Sequence, residues 1–303
     1  MQMRNMRNMV LIEEFIQYLR YEKNYSTHTV VAYKCDLHQF TEYAEHQFGL
    51  TDPAVLDSDM LRSWMVCLLE GGMTARSVNR KLSSLKTFWH YLRRTGAVSA
   101  NPFKKVVPPK TSKPLPVFLK EAEMEALLKE ESPDDDFFPM VRDELIINLF
   151  YSTGMRLSEL IGLTDETLDL STCTLKVTGK RDKQRLIPFG AELKRCISHY
   201  LKVRNEQVER TSNRLLVRGD GGSLYPQMVY RMVHQKLAEV GTLTKNSPHV
   251  LRHTFATTLL NRGAELNAVK ELLGHSSLSA TEVYTHTTFA ELKKVYKQAH
   301  PRA

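Results

Sequence analysis

Between residues 10 and 100, apolar side chains return every three or four positions, the repeat that lines one face of a helix. Residues 10–23 place Leu11, Phe15, Tyr18 and Leu19 together. Ser26 or Thr27 is the predicted cap of a second helix reaching about residue 46, with Ala32, Tyr33, Leu37, Phe40, Tyr43 and Ala44 in step. Ser58 is the predicted cap of a third, stopped by Gly71-Gly72. Thr74 caps a fourth, in which Val78, Leu82, Leu85, Trp89 and Leu92 recur and after which Gly96 closes the element. The first hundred residues therefore read as a small all-helical domain.

The pattern then changes. Pro102, Pro108, Pro109, Pro114 and Pro116 interrupt residues 101–116, and proline at this density favours an extended linker. Helical spacing resumes at about 120–130 and 139–152. Residues 173–178 and 185–189 are strand-like, with Gly179–Gln184 between them as a hairpin turn. After Pro226 the chain is again mostly helical. The expected organisation is a helical domain over 1–100, a basic proline-rich linker over 101–117, and a mainly α domain with a small antiparallel sheet over 118–303.

Charge sharpens this picture. The net charge is +8, but residues 76–113 carry ten basic side chains and no acidic one. Among them are Arg76, Arg80, Lys81, Lys86, Lys104 and Lys105, the predicted contacts to a polyanion such as DNA. Residues 121–136 have the opposite balance, eight acids against Lys129. With 42% hydrophobic and 25% charged residues over 303 positions, the composition is globular, and no apolar run is long enough to span a bilayer. Four scattered cysteines form no CxxC, which points to a reducing cytoplasm and away from disulfides or cysteine-held zinc.

Three segments bear candidate chemistry. In Ser152–Leu160, Arg156 follows a turn glycine and has Glu159 one helical turn on, where the two can pair. Taken alone, that is an ordinary surface pair. In Ser247–His253, Ser247 and Pro248 suit a helix start, and His249 and Arg252 lie three apart at its positive end, a place for phosphate. His249 and His253 have zinc spacing, but Val250 replaces the glutamate of HExxH and Arg252 repels a cation, so no metal is expected. In Glu271–His286, Gly274 stops a helix and leaves His275 on a loop. Ser279 and Glu282 form a capping-box pattern that puts Tyr284 near the start of the next helix. Two arginines, a hairpin lysine, two histidines and a tyrosine suit metal-free attack on a phosphodiester. Forked cations meet its charge, lysine protonates the leaving oxygen, and the covalent link conserves the bond.

TGMRLSEL, SPHVLRHTFATTLLNRGAEL, KELLGHSSLSATEVYTH and the closing HPRA together resemble the tyrosine site-specific recombinases of the phage integrase family, in particular the Xer branch. The resemblance covers nearly the whole chain. It implies a SAM-like helical DNA-binding domain followed by the tyrosine recombinase catalytic fold. It also implies a role for each matching residue. Tyr284 is the nucleophile forming a 3′-phosphotyrosyl link, and Arg156 and Arg252 bind the scissile phosphate. Lys180 is the general acid, His249 assists proton transfer, His275 hydrogen-bonds the phosphate, and Glu159 supports the active-site arginine. The family needs no cofactor and no metal. It acts on two double-stranded DNA sites as a homo- or hetero-tetramer, with a partner recombinase and a DNA translocase in the Xer case, and passes a C-terminal helix, here about 289–300, to a neighbour. Where the family often has Gly-Lys-Gly, this chain has Gly179-Lys180-Arg181, which leaves Lys183 as a second candidate acid. The residues before Met9 are an extension without an assigned role. The expected function is chromosome dimer resolution at a dif-like site by a cytoplasmic enzyme. The alternatives are a mobile-element integrase, a topoisomerase with the same chemistry, and a non-catalytic DNA-binding protein.

Overall fold

A computed structural model describes residues 2–49, 52, 55–112, 117–128, 136–179, 182–240, 246–274 and 289–302. The chain divides into two compact units, residues 1–114 and 115–303.

The first unit is built from α1 (Gln2–Gln17), α2 (Thr27–Phe48), α3 (Ser58–Glu70) and α4 (Ala75–Arg94). The first helix begins well before the apolar repeat does, so the extension before Met9 is helical. It runs into a π-helical turn, Tyr18–Glu22, where Lys23 N–H donates to Tyr18 O at 3.1 Å, a wider loop than periodicity reveals. Ser26 caps α2 by accepting from Thr29 N–H, and Thr74 caps α4 by accepting from Ser77 N–H. The predicted cap of α3 is corrected by one residue. Asp57, not Ser58, accepts from the N–H groups of Asp59 and Met60 at 2.8 and 2.9 Å, because a carboxylate is the stronger acceptor at a helix's positive end. The faces so aligned bury Phe15, Leu37, Trp64, Leu85, Phe88 and Leu92 in one core. Pro102–Lys105 form a 3-10 turn whose Phe103 packs against Trp89, and Asn79 donates to Pro109 O at 2.9 Å. The basic segment after α4 thus lies along this unit at least as far as Pro109.

The second unit is organised around α6 (Phe138–Thr153), which is buried on nearly every side and packed against α8 (Ala191–Gln207) and α10 (Pro248–Asn261). It follows the short α5 (Glu121–Leu127) and precedes α7 (Leu157–Gly162). The antiparallel sheet has the order β1 (Leu168–Asp169), β2 (Thr174–Thr178), β3 (Gln184–Pro188). The hairpin of β2 and β3 matches the expected strands to within a residue, whereas two-residue β1 is too short to leave a pattern. Leu175 and Val177 face inward, opposite Ile187 and Arg185. Beyond α9 (Pro226–Glu239), α10 and α11 (Leu266–Leu273) form a smaller core with α12 (Phe289–Ala299), through Phe255, Leu259, Val269, Leu272 and Tyr296. Within this chain α12 therefore packs on its own unit rather than away from it. None of Cys35, Cys67, Cys173 and Cys196 is in a disulfide. Among the described residues no helix is long and apolar enough to cross a membrane.

Candidate active site

Gly154 ends α6 in the left-handed conformation, φ +59, and turns the chain so that Arg156 stands at the start of α7. Glu159, one turn on, is 3% exposed. Its carboxylate accepts from Arg156 N–H at 2.7 Å and from Arg156 Nη1 at 2.8 Å. Arg185 of β3 forks onto the same group, Nη1 to Oε1 at 2.7 Å and Nη2 to Oε2 at 2.9 Å. Four donors thus meet four lone-pair sites, which makes the buried anion tolerable. Burial pushes the Glu159 carboxyl up, but the Arg185 and Arg156 hydrogen bonds outweigh it and hold the group below the usual carboxylate range. Taken alone the segment suggests an ordinary surface pair; the carboxylate is in fact buried, while Arg156 stays partly exposed.

Arg252 rises from the first turns of α10 and is 8% exposed. Its Nη1 donates to Gly154 O and its Nη2 to Leu273 O at 2.7 Å. Burial foremost, with the charges of Arg156 and Arg185 adding, lowers its pKa to about 10, so it stays cationic at neutral pH.

The three arginines converge on one feature, the carboxyl end of α11. Arg185 Nε donates to Leu272 O at 2.9 Å, Arg252 to Leu273 O, and Arg156 Nη2 to Gly274 O at 2.9 Å. The last carbonyls of a helix lack intrahelical partners and carry its negative dipole end, so they are natural acceptors for guanidinium groups. Gly274 caps the helix with φ +65, as expected. Among the described residues, three guanidinium charges against the Glu159 carboxylate leave two positive charges at this spot, an environment suited to an anion.

Of the other candidates, His249 is exposed on the first turn of α10, three residues from Arg252. Ser247 takes the N-cap position and Pro248 the first helical position, as expected, but the Ser247 hydroxyl makes no capping hydrogen bond. His253 is also exposed, and its pKa is lowered by burial, His249 and Arg252. Lys180, His275 and Tyr284, with the Ser279–Glu282 capping box, lie outside the described residues. Gly179, the chain neighbour of Lys180, lies so close to the site that a Cβ there would meet Glu159 Oε1 at 3.2 Å and Arg156 Nη1 at 3.9 Å. Lys183, the second candidate acid, is exposed, and its carbonyl accepts from Gly179 N–H at 2.8 Å to close the hairpin.

The basic residues divide into two groups. Arg76, Lys86, Lys104 and Lys105 are exposed. Arg80, itself half-exposed, and Lys81 also converge on Asp36, which is 1% exposed. Arg80 forks onto it at 2.6 and 2.8 Å, Lys81 reaches it at 2.9 Å, and Ser84 Oγ donates at 2.8 Å. Sequence reasoning missed Asp36 and Arg185. The alternation of β3 did carry a signal for Arg185, since a charged residue stands on the strand's inward face beside Ile187.

Residues 117–291 match the phage integrase family, and residues 12–96 match the phage integrase N-terminal SAM-like domain. The tyrosine recombinase XerC of Chlorobaculum parvum is 40% identical, over 96% of this chain and 94% of its own. The tyrosine recombinase XerD of Listeria monocytogenes is 37% identical, over 97% and 99%. A solved structure of the XerH site-specific recombinase bound to a palindromic difH substrate aligns with TM-score 0.70 at 24% identity, over 93% and 82%. The Tn1549 transposon integrase in complex with transposon right-end DNA aligns with TM-score 0.71 at 22% identity, over 95% and 98%.

The chain belongs to the phage integrase family, the tyrosine recombinases: enzymes of DNA strand transfer built from a SAM-like helical domain and a mainly α catalytic domain. Within that class its relatives place it in the Xer branch of site-specific recombinases.

Proposed function

We propose that this recombinase resolves chromosome dimers in the cytoplasm at a dif-like site, through a 3′-phosphotyrosyl intermediate formed by Tyr284. The observation that carries this reading is the convergence of Arg156 and Arg252 on the last carbonyls of α11. The chain leads from there directly into the segment that holds His275 and Tyr284.

In the proposed step the Tyr284 oxygen attacks the scissile phosphorus and loses its proton with the help of His249. A phenol with pKa near ~10 is a weak nucleophile at neutral pH, so the cationic surroundings and a proton acceptor are both needed. Arg156 and Arg252 hold the non-bridging oxygens, with His275 as a further donor. Each such preorganised donor is worth roughly 3–4 kcal/mol as charge develops. The P–O5′ bond breaks, and the departing oxygen takes a proton from Lys180. The close approach of Gly179 to Glu159 and Arg156 supports Lys180 over Lys183 for this role. The 5′-hydroxyl of another strand then attacks the phosphotyrosyl phosphorus, the same proton transfers run in reverse, and the tyrosine is released without an external energy source.

The substrate of this reading is two double-stranded sites held by a tetramer, with a second recombinase as partner and a DNA translocase as activator. The XerC and XerD relatives, similar over nearly their whole lengths, support a Xer role over that of a mobile-element integrase.

A nicked suicide substrate, which traps the covalent intermediate, tests the chemistry. Tyr284→Phe should form no adduct while binding DNA as wild type does; persistence of the adduct would assign the nucleophile elsewhere. Sequencing the DNA attached to wild-type protein in cells tests the role. A single chromosomal locus is expected, and adducts at the ends of a mobile element would reject it.

A further inference from the structure

Arg185 and Arg156 each give Glu159 two hydrogen bonds and each reach both of its oxygens, but Arg185 does so with two nitrogens of one planar fork, Arg156 with one side-chain nitrogen and its backbone N–H. The third nitrogen of Arg185, Nε, is on Leu272 O, so every nitrogen of its fork is engaged with protein. Its side chain is 15% exposed, against 34% for Arg156. One planar group thereby joins α7, β3 and the end of α11. Gly274 fits this arrangement closely, since a Cβ there would meet Arg185 Nη1 at 2.9 Å.

We propose that Arg185 is a positioning residue for strand cleavage. It fixes the Glu159 carboxylate, through it the direction of the Arg156 guanidinium, and at the same time the end of α11 from which the chain continues to His275. This rests on the reading that Arg156 holds the scissile phosphate. Without Arg185 two lone-pair sites of a buried carboxylate fall empty, and the half-exposed Arg156 is drawn toward them and off its aim. Misplacement by about 1 Å is enough to cost on the order of 10²-fold in rate. Lysine does not replace it, because a single ammonium cannot span two carboxylate oxygens and a carbonyl with a planar fork.

The test compares single-turnover adduct formation on a phosphodiester suicide substrate and on one whose scissile group is a methylphosphonate. The methyl group removes the negative charge that Arg156 meets, so a defect acting through Arg156 is relieved there, whereas a general loss of structure is not. Arg156→Ala is the reference. Arg185→Ala and Arg185→Lys should slow cleavage of the phosphodiester by about 10²-fold, leave DNA affinity unchanged, and recover most of that loss on the methylphosphonate. Equal slowing on both substrates, or no slowing, overturns the proposal. Should Arg185→Ala fail to fold, the comparison stands on Arg185→Lys. Relief for Arg156→Ala without relief for Arg185 rejects the positioning role alone. Absence of relief in Arg156→Ala itself rejects the phosphate reading beneath it.

Discussion

His300 shows how one residue ties the last helix to the catalytic unit. It is 4% exposed, stacked on Tyr296 with ring centroids 4.9 Å apart, and close to Tyr151 and Phe255. Its Nδ1 accepts from Arg302 N–H at 3.1 Å, which leaves Nε2 as the donor to Tyr151 O at 3.3 Å. That assignment needs a neutral ring. Burial foremost lowers its pKa to about 4, with the charges of Arg262 and Arg302 in the same direction and the Tyr151 carbonyl opposed. Because the folded value lies below the unfolded one of 6.5, this contribution is complete above pH 6.5 and is lost as pH falls from there to about 4. It amounts to about 3 kcal/mol at most, one pKa unit being worth about 1.4 kcal/mol. Urea unfolding across that window should show the decline in wild type and a flatter profile in His300→Phe. His253 shifts in the same direction, so the difference between the two proteins is the quantity to measure.

Among the elements, the turn from α6 to α7 has the most demands on it. Gly154 adopts φ +59, gives its carbonyl to Arg252, and lies against Phe255 and Leu273, whose side chains a Cβ would overlap. Gly263 after α10 has φ +83 but nothing within 4 Å of a built Cβ. Gly263→Ala should therefore cost only the left-handed strain, about 1–2 kcal/mol. Gly154→Ala should add roughly 1–3 kcal/mol of overpacking and slow adduct formation through Arg252. A shift of urea midpoint at unchanged slope would measure both; equal shifts would show that the packing around Gly154 yields freely.

The same contrast explains what could be read in advance. The repeat of Val78, Leu82, Leu85, Trp89 and Leu92 announced α4 because burial on one face is a local, periodic property. The hairpin was legible for the same reason. The π-helical turn at Tyr18–Glu22 and two-residue β1 leave no period to read. Arg156, Glu159 and Arg252 were legible as residues, but their union with Arg185 was not, since Arg185 and Leu272 are 87 positions apart. Pairings of that range are set by the packing of α7, β3 and α11, which no window of sequence contains.

At the scale of the whole molecule, the basic residues expected to meet DNA separate into unpaired and committed charge. Arg76, Lys86, Lys104 and Lys105 are exposed and make no ion pair among the described residues, whereas half-exposed Arg80 and largely buried Lys81 are bound to Asp36. Each phosphate contact contributes about 0.9 to the slope of log affinity against log salt, so replacing Arg76, Lys86, Lys104 and Lys105 with alanine should lower that slope by up to about 3–4. An unchanged slope would place the footprint elsewhere. Replacing Arg80 and Lys81 together should appear first in stability, since stranding a buried charge costs about 3–5 kcal/mol.

Asp36 therefore does more than neutralise two side chains. Burial opposes its ionisation, yet Arg80, Lys81 and Ser84 keep it charged, and α2 is clasped to α4 by ionic contacts at its centre. In the reading that gives DNA contacts to the α4 cations, those cations stand on a helix already fixed to α2 by these contacts before any duplex is bound. Little ordering of that helix pair then remains to be done on binding, so less of the binding free energy is spent there.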